Sequence, residues 1–541
     1  MNTCRKCCAR IGLGLLALLA AAWIIGNLLV DVRFDGPVRR RDEALVPLVT
    51  ANTLRAAFEG LPAEGVADSR IELLDDNREA WAARWQLLAE ARGTLEISYF
   101  ILDADIFGIS FLGHLLHKAH EGVHVRILLD AIGTTLSREI EGNDYLDALA
   151  GTENIVIKMY RPYWSRFRDA FLTLNPFSIL VSEHDKILVA DDRLALIGGR
   201  NIAREYLADP REYARAFRDA DVLLAASRTG TALQSVFDAG FESAQSHRVQ
   251  PEAVDIKDST TDLLLAYEAM DAWLRNKGLP EKPARSIRER GLSWLDDIEK
   301  LPRLKGALGK RPARAAMAEV RLLDSRPRLM RSDDAISRSL ARLARAARRE
   351  IFIQTPYLVL SRQAVSVLEQ AASRGVRITI LTNSPVSTDN PLSQAFFLEQ
   401  WPKLMARVPT LRLFVVADAH NIHAKLAAID GELALIGTYN LDPLSMGFNG
   451  ELVAAIWSAE FAAQLLRKPR QLIAGGPPLV YEYRIARDDQ GRPRQDKKGN
   501  IMIAFGPEDH SNRDQWKTVV WLRKLVHVAA KLPGTSRLLW E

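Results

Sequence analysis

Residues 182–202, SEHDKILVADDRLALIGGRNI, recur as residues 421–441, NIHAKLAAIDGELALIGTYNL. Aligned on His184 and His423, both copies carry Lys two residues on, Asp seven on, Gly fourteen on and Asn seventeen on, with Leu-Ala-Leu-Ile ahead of the Gly. The offset is constant at 239 (423 − 184, 425 − 186, 440 − 201). With each residue type at roughly one position in twenty, a histidine gains those four partners by chance on the order of once in 10^5. Two copies in register therefore mean a duplicated half-domain, and few features constrain a fold more tightly.

The surroundings repeat as well. A strand expected at 71–74, a helix at 78–92, a strand at 95–102, a helix at 106–120 and a strand at 123–129 are answered by a strand at 320–323, a helix at 333–349, a strand at 351–354, a helix at 362–373 and a strand at 376–381. Strands alternating with helices predict an α/β fold of mixed β-sheets flanked by helices. The duplicated half-domains span 70–250 and 318–475. Between them, 251–317 is rich in charge and proline and reads as a connecting insertion with a helix at 260–274. In the C-terminal segment, 476–541, apolar runs at 479–485 and 501–505 flank DDQGRPRQDKKGN as in a hairpin, and 513–532 reads as an amphipathic helix.

A short basic N-terminus, 1–10, precedes IGLGLLALLAAAWIIGNLLV at 11–30, where Asn27 is the single polar side chain. Twenty helical residues at 1.5 Å each cover the roughly 30 Å hydrocarbon core. Arg5, Lys6 and Arg10 precede the run and no small-x-small cleavage site follows it, so an uncleaved transmembrane anchor is expected, with a linker at 31–69. All three cysteines, Cys4, Cys7 and Cys8, precede the anchor, which excludes a disulfide framework in the body and suits an oxidising compartment. The 72 Lys and Arg against 67 Asp and Glu leave a charge of +5, too balanced to demand a nucleic-acid partner.

Residues two apart on a strand share a face, so His184 lies with Lys186 and His423 with Lys425. The pairs Gly198, Gly199 and Gly437, Thr438 are expected to bend the chain and return Asn201 and Asn440 towards the strand ends. A site drawing on both copies holds two imidazoles, two ammonium groups and two amides. That inventory suits a phosphodiester: cations and amides for the non-bridging oxygens, one neutral His as nucleophile and one protonated His as acid. Asp191 and Asp430 point away from the lysines and are expected to be framework, at turns or between halves. Asp221 and Glu451, 37 and 28 residues after their histidines, are the candidate carboxylates to orient the imidazoles.

The two copies resemble the HxKxxxxD…G(G/S)xxN signature of the phospholipase D superfamily, with Gly-Thr in the second copy where Gly-Gly or Gly-Ser is usual. The resemblance implies two half-domains sharing one site, and a metal-independent, cofactor-free ping-pong transfer through a phosphohistidine. In relatives the first-copy His is usually the nucleophile and the second the acid. The anchor, IGGRNI followed by Glu205 and Tyr206, and GTYNLDPLS followed by Asn449, Gly450 and Glu451 are similar to bacterial cardiolipin synthases of the short, single-anchor type. That implies a membrane-anchored phosphatidyltransferase joining two phospholipids into cardiolipin. Phosphatidylglycerol and phosphatidylethanolamine are the candidate donors, the bacterial inner membrane is the site and the body is expected on its periplasmic side; nucleic acid is not expected, and a helper protein is left open.

The alternatives are a phospholipase D that hydrolyses to phosphatidic acid, a nuclease, and a non-catalytic membrane scaffold. The scaffold predicts a lost motif residue, and none is lost. Contact with lipid is expected at a loop over 163–172, where aromatics alternate with arginines, at Phe396, Phe397 and Trp401, and on the tail at Trp516, Trp521 and Leu525.

Overall fold

The structure is a computed structural model. It describes residues 53–510 apart from 62–63, 135–143, 174–175, 226, 252–256, 281–288, 311–314 and 329–334, together with 519–524 and 526. The apolar run 11–30 and most of the expected tail helix lie outside the described residues. Among those described, no helix is long and apolar enough to cross a membrane.

The first half begins with α1 (Leu54–Glu59), which packs on the second half, and continues with β1 (Glu64–Leu74), α2 (Asn77–Glu90), β2 (Thr94–Tyr99), α3 (Ile106–His120) and β3 (His124–Asp130). Next come α4 (Tyr145–Ala150), β4 (Ile155–Tyr160), α5 (Tyr163–Thr173), β5 (Ile187–Ala190), β6 (Leu194–Gly198), α6 (Arg204–Leu207), β7 (Asp221–Ala225), α7 (Ser227–Phe241) and β8 (Ser246–Arg248). Two helices follow, α8 (Lys257–Leu274) and α9 (Glu289–Glu299). The second half repeats the plan with β9 (Ala316–Ser325), α10 (Ala335–Ala346), β10 (Glu350–Gln354), α11 (Arg362–Ser373), β11 (Arg377–Asn383), α12 (Pro391–Arg407) and β12 (Leu411–Val416). It closes with β13 (Lys425–Ile429), β14 (Leu433–Gly437), α13 (Pro443–Gly447), β15 (Glu451–Trp457), α14 (Ala459–Gly475) and the antiparallel pair β16 (Val480–Ile485) and β17 (Ile503–Phe505).

Hydrogen bonds run through the strands in the order β8, β4, β3, β2, β5, β6, β7, β1, β9, β15, β14, β13, β10, β11, β12, β16, β17. The halves meet where β1 lies antiparallel to β9, with Ile71 opposite Ala316. In each half a parallel trio (β2, β3, β4; β10, β11, β12) continues into an antiparallel set. The strands around the motif are buried on both faces, so they read as apolar runs without alternation. Val189, Ile197 and Leu224 of the first half meet Leu426, Ile436 and Ile456 of the second in one shared core. That core makes the two halves one body.

Three expectations change in detail. The second-half helix stops at Ala346 instead of 349, because the N–H groups of Arg348, Arg349 and Glu350 go to the Asp430 carboxylate. The aromatic and arginine stretch forms helix α5. The insertion is more than a connector, since Leu263, Ala266, Met270 and Trp273 of α8 belong to the first-half core.

Candidate active site

Strands β5 and β13 begin at Ile187 and Lys425, so both histidines lie in the extended chain just ahead of them. Two short parallel bridges between the halves hold that chain, Glu183 against Gly450 and Arg218 against Ile422. The His184 N–H donates to the Gly450 carbonyl at 3.0 Å, and the His423 N–H to the Arg218 carbonyl at 2.8 Å. Each bridge seats a histidine of one half beside a carboxylate of the other.

His184 Nδ1 lies 3.0 Å from Glu451 Oε2, and His423 Nδ1 lies 2.8 Å from Asp219 Oδ2. Asp221 does not orient an imidazole: it is bonded to Arg84 at 2.9 Å and to Arg200 at 3.0 Å. The ladders give the reason. Gly198 pairs with Asp221 where Gly437 pairs with Val453, so Asp221 corresponds to Val453 and the counterpart of Glu451 is Asp219. In sequence Asp221 stands immediately ahead of the apolar run 222–225 as Glu451 stands ahead of 452–456, so only the strand register singles out Asp219.

The remaining motif residues divide into site and framework. Lys186 Nζ donates to the His184 carbonyl at 2.5 Å, and Lys425 Nζ to the His423 carbonyl at 2.6 Å; Lys425 Nζ also lies 2.7 Å from His423 Nδ1 and 3.1 Å from its Nε2. All four side chains are buried. Asn201 Oδ1 accepts the Ile101 N–H at 3.0 Å, whereas the buried Asn440 Oδ1 has no hydrogen-bond partner among the described residues. Asp191 takes the N–H groups of Arg92, Gly93 and Thr94, as Asp430 takes 348–350, so each anchors a turn inside its own half. Both aspartates sit at positive φ, 51° and 54°.

Gly198 and Gly437 serve close strand approach instead of a bend: a Cβ on Gly198 would lie 2.3 Å from Asp221 Oδ1, and one on Gly437 would lie 2.1 Å from the Leu452 carbonyl. A Cβ on Gly199 would lie 2.1 Å from Asp219 Oδ1. Thr438 takes the corresponding place in the second half and donates its hydroxyl to Glu451 at 2.5 Å; Ser445 donates to the other Glu451 oxygen, also at 2.5 Å.

Burial alone would raise both carboxyls, yet they part. Lowering by His423, Lys425 and Arg200 outweighs burial at Asp219 and holds it at about 2. At Glu451 burial wins over Lys186, Ser445, Thr438 and Lys425, and the carboxyl is pushed up to about 7. Burial, with Lys186, Lys425 and His423, holds His184 well below its ordinary value. Burial and Lys425 also lower His423, but there Asp219 pulls back. Lys186 falls to about 7, mainly through burial.

Four rings wall the site that the motif does not announce. Phe100 meets His184 edge-on at 4.9 Å, Phe217 stacks on His423 at 5.4 Å, and Tyr206 and Tyr357 meet His423 edge-on at 5.0 and 6.5 Å. Nearby, Asp103, Asp105 and Glu205 each bring an oxygen within 4.8 Å of the others, but Asp105 already accepts N–H groups from Phe107, Gly108 and Arg204.

On α5, Trp164, Phe167 and Phe171 are 51%, 60% and 78% exposed. Spaced three and four apart, they form one helix face. Arg166 between them is buried, its Nη2 2.8 and 2.9 Å from the two Asp130 carboxylate oxygens. Phe397 and Trp401, expected at lipid, are core residues of α12.

Known proteins match this architecture. The family described as cardiolipin synthase, PLD-like domain, matches residues 85–238 and 340–473. Cardiolipin synthase C of Escherichia coli (strain K12) is 26% identical over 488 residues, 85% of this chain and 94% of that protein. A cardiolipin synthase of Geobacillus thermodenitrificans is 25% identical over 417 residues, 76% of this chain and 68% of that protein. Among solved structures, phosphatidylserine synthase of Haemophilus influenzae superposes with a TM-score of 0.57 over 90% of this chain and 99% of that one, at 13% identity, a likeness of fold. The family match covers more than half of the chain and includes both histidine motifs, and the chain belongs to the cardiolipin synthase family with the phospholipase D-like domain, a family of phosphatidyltransferases.

Proposed function

We propose that this protein joins two phospholipids into cardiolipin at one site between its halves, with His184 as nucleophile and His423 as acid and base. The observation that carries the order of roles is the split between the two carboxyls. An ionised Asp219 favours the imidazolium form of His423, whereas Glu451, at about 7, leaves His184 to the burial and cations that keep it neutral.

In the first step His184 Nε2 attacks the phosphorus of one phospholipid. The N–P bond forms, the bond from phosphorus to the head-group oxygen breaks, and His423 gives its Nε2 proton to that oxygen. Glu451 balances the charge that develops on the phosphorylated ring through Nδ1–H. In the second step the now neutral His423 takes the proton from a hydroxyl of the second lipid. That oxygen attacks phosphorus and the N–P bond breaks, regenerating both imidazoles. Lys186, Lys425, Asn201 and Asn440 carry the non-bridging oxygens throughout. The unpartnered Asn440 carbonyl suits this role once the amide turns to donate.

The finer assignments belong to the same reading. The run 11–30 anchors the chain in the bacterial inner membrane with the body on the periplasmic side, and the Trp164, Phe167 and Phe171 face of α5 dips into the lipid interface. Closing the site against water favours the lipid hydroxyl as acceptor. Purified protein given head-group-labelled phosphatidylglycerol should yield cardiolipin and free glycerol. Phosphatidic acid as the sole lipid product would sink the synthase reading.

A further inference from the structure

The halves differ sharply in one place away from the histidines. Asp191 anchors residues 92–94 as Asp430 anchors 348–350, which fixes the correspondence of α2 with α10 at an offset of 256 (348 − 92). Trp81 then answers to Ser337 and Trp85 to Ala341. The helix ends before Gly122 and Gly375 fix α3 against α11 at 253 (375 − 122), so Phe107 answers to Leu360 and Phe111 to Ala364.

In the first half these aromatics fill the space between helices and sheet: Trp81 meets Trp85 at 5.5 Å and Phe107 at 5.1 Å, and Phe111 meets Tyr99 at 6.1 Å. In the second half Ser337, Ala341, Leu360 and Ala364 instead line a cavity of about 410 Å³. That lies within the range of roughly 300–1,000 Å³ common to small-molecule sites.

The cavity has a direction. Its floor is β10 and β13, which pair from Gln354 opposite Leu426 to Ile351 opposite Ile429. At one end are Lys425, Gln354, Thr355 and Tyr439, the last beside Asn440; at the other are Ile351, Ile429 and Leu368. Four residue steps along β13 span about 13 Å. Lys425 is the single charged side chain among the lining residues, and its ammonium lies against the His423 ring, 2.7 Å from Nδ1 and 3.1 Å from Nε2. A polar, buried end at Lys425 and an apolar interior behind it match one molecule, a phosphodiester with a hydrocarbon tail.

We infer that this cavity takes one acyl chain of the phospholipid whose phosphate sits at Lys425, an inference that rests on the phospholipid reading above. The first half, its equivalent space packed with tryptophan and phenylalanine, takes none there. The enzyme thus gauges chain length through its second half.

Refilling the cavity with the first half's own side chains tests this. In Ala341→Trp and Ala364→Phe, head-group release from dioleoyl-phosphatidylglycerol in mixed micelles should fall at least tenfold in kcat/KM, while release from dihexanoyl-phosphatidylglycerol should change less than twofold. Equal loss on both substrates, or no loss on either, would overturn the inference. Wild-type protein incubated with phosphatidylglycerol bearing a diazirine at the acyl terminus gives a readout independent of variant folding. Label should fall on peptides of α10 and α11, and label confined elsewhere, including on 11–30, would overturn it. Head-group release is common to transfer and hydrolysis, so a product of phosphatidic acid alone would sink the synthase reading and leave the chain-length ratio intact.

Discussion

The environments of His184 and His423 were built from one ancestral plan and now differ in charge. Both rings are buried, both follow a bridge to the opposite half, and both turn Nδ1 to a carboxylate of that half. Around Asp219 stand Arg200 and Lys425, and the chain at 199 is a glycine that yields space to the carboxylate. Around Glu451 stand two hydroxyls, Thr438 and Ser445, with Lys186 as the leading cation. Duplication alone yields two equivalent bases; substitution of the groups behind the carboxylates makes their surroundings unequal, which the proposed reading uses to make one an acid and the other a nucleophile.

The sharpest way to break this comparison is to remove one imidazole at a time. His184→Ala and His423→Ala should each cost at least about 10^3-fold in kcat on a natural phospholipid. A substrate whose leaving group is p-nitrophenol needs no acid, so His423→Ala should still form a phosphoenzyme on it and His184→Ala should form none. The reverse pattern would invert the roles.

The carboxylates come next. Asp219→Asn removes the charge that favours imidazolium at His423 and should lower kcat/KM by about 10^2-fold. Glu451→Gln should cost less than about tenfold at pH 7, since that carboxyl is already about half protonated there. Gly199→Ala should follow Asp219→Asn, because its Cβ would displace the Asp219 carboxylate. Equal losses for the two carboxylate variants would erase the distinction between the sites.

Stability against pH reads the same split without turnover. Glu451 is raised in the folded state, from 4.5 to about 7, so the native protein binds that proton more tightly than the unfolded chain. Its contribution is complete below about 4.5 and is lost as pH rises towards 7, on the order of 3 kcal/mol across the window. Asp219 is lowered, so its contribution is present above 3.8 and is lost as pH falls towards about 2. Melting temperature measured from pH 5 to 7.5 should therefore fall less steeply in Glu451→Gln than in the wild type.

Much of this was legible in the sequence because duplication writes its evidence twice. The repeat at His184 and His423 predicted a two-half α/β fold, and its spacing put the aspartates at 191 and 430 outside the reacting groups. Asp219 was missed because Asp221 stands directly before the apolar run 222–225, as Glu451 stands before 452–456; strand register, which counts through Gly198 and Gly437, places Asp221 opposite Val453 in the plan instead. The rings Phe100 and Tyr357 lie in the chain just past β2 and β10 and have no spacing relation to the motif. Helix α5 hid because its buried and exposed residues, Arg166 against Phe167, invert the usual polarity: the arginine is paid for by Asp130.

The finest test concerns one hydroxyl. Thr438 Oγ1 donates to Glu451 while the Thr438 backbone, through its own hydrogen bond, favours the charged form of His184. Thr438→Gly copies the first half at this point and removes only the side-chain bond. One such bond to a buried group is worth about 1 kcal/mol, so kcat/KM should fall about fivefold. Because the lost bond favoured the ionised carboxyl, Glu451 should titrate at a higher pH than before, and the melting profile should shift in the same direction. Thr438→Ser restores the donor and should restore both. If Thr438→Gly instead abolished turnover as Gly199→Ala is expected to impair it, the hydroxyl would be holding Glu451 in place as Gly199 leaves room for Asp219, and the two sites would be closer in design than their charges suggest.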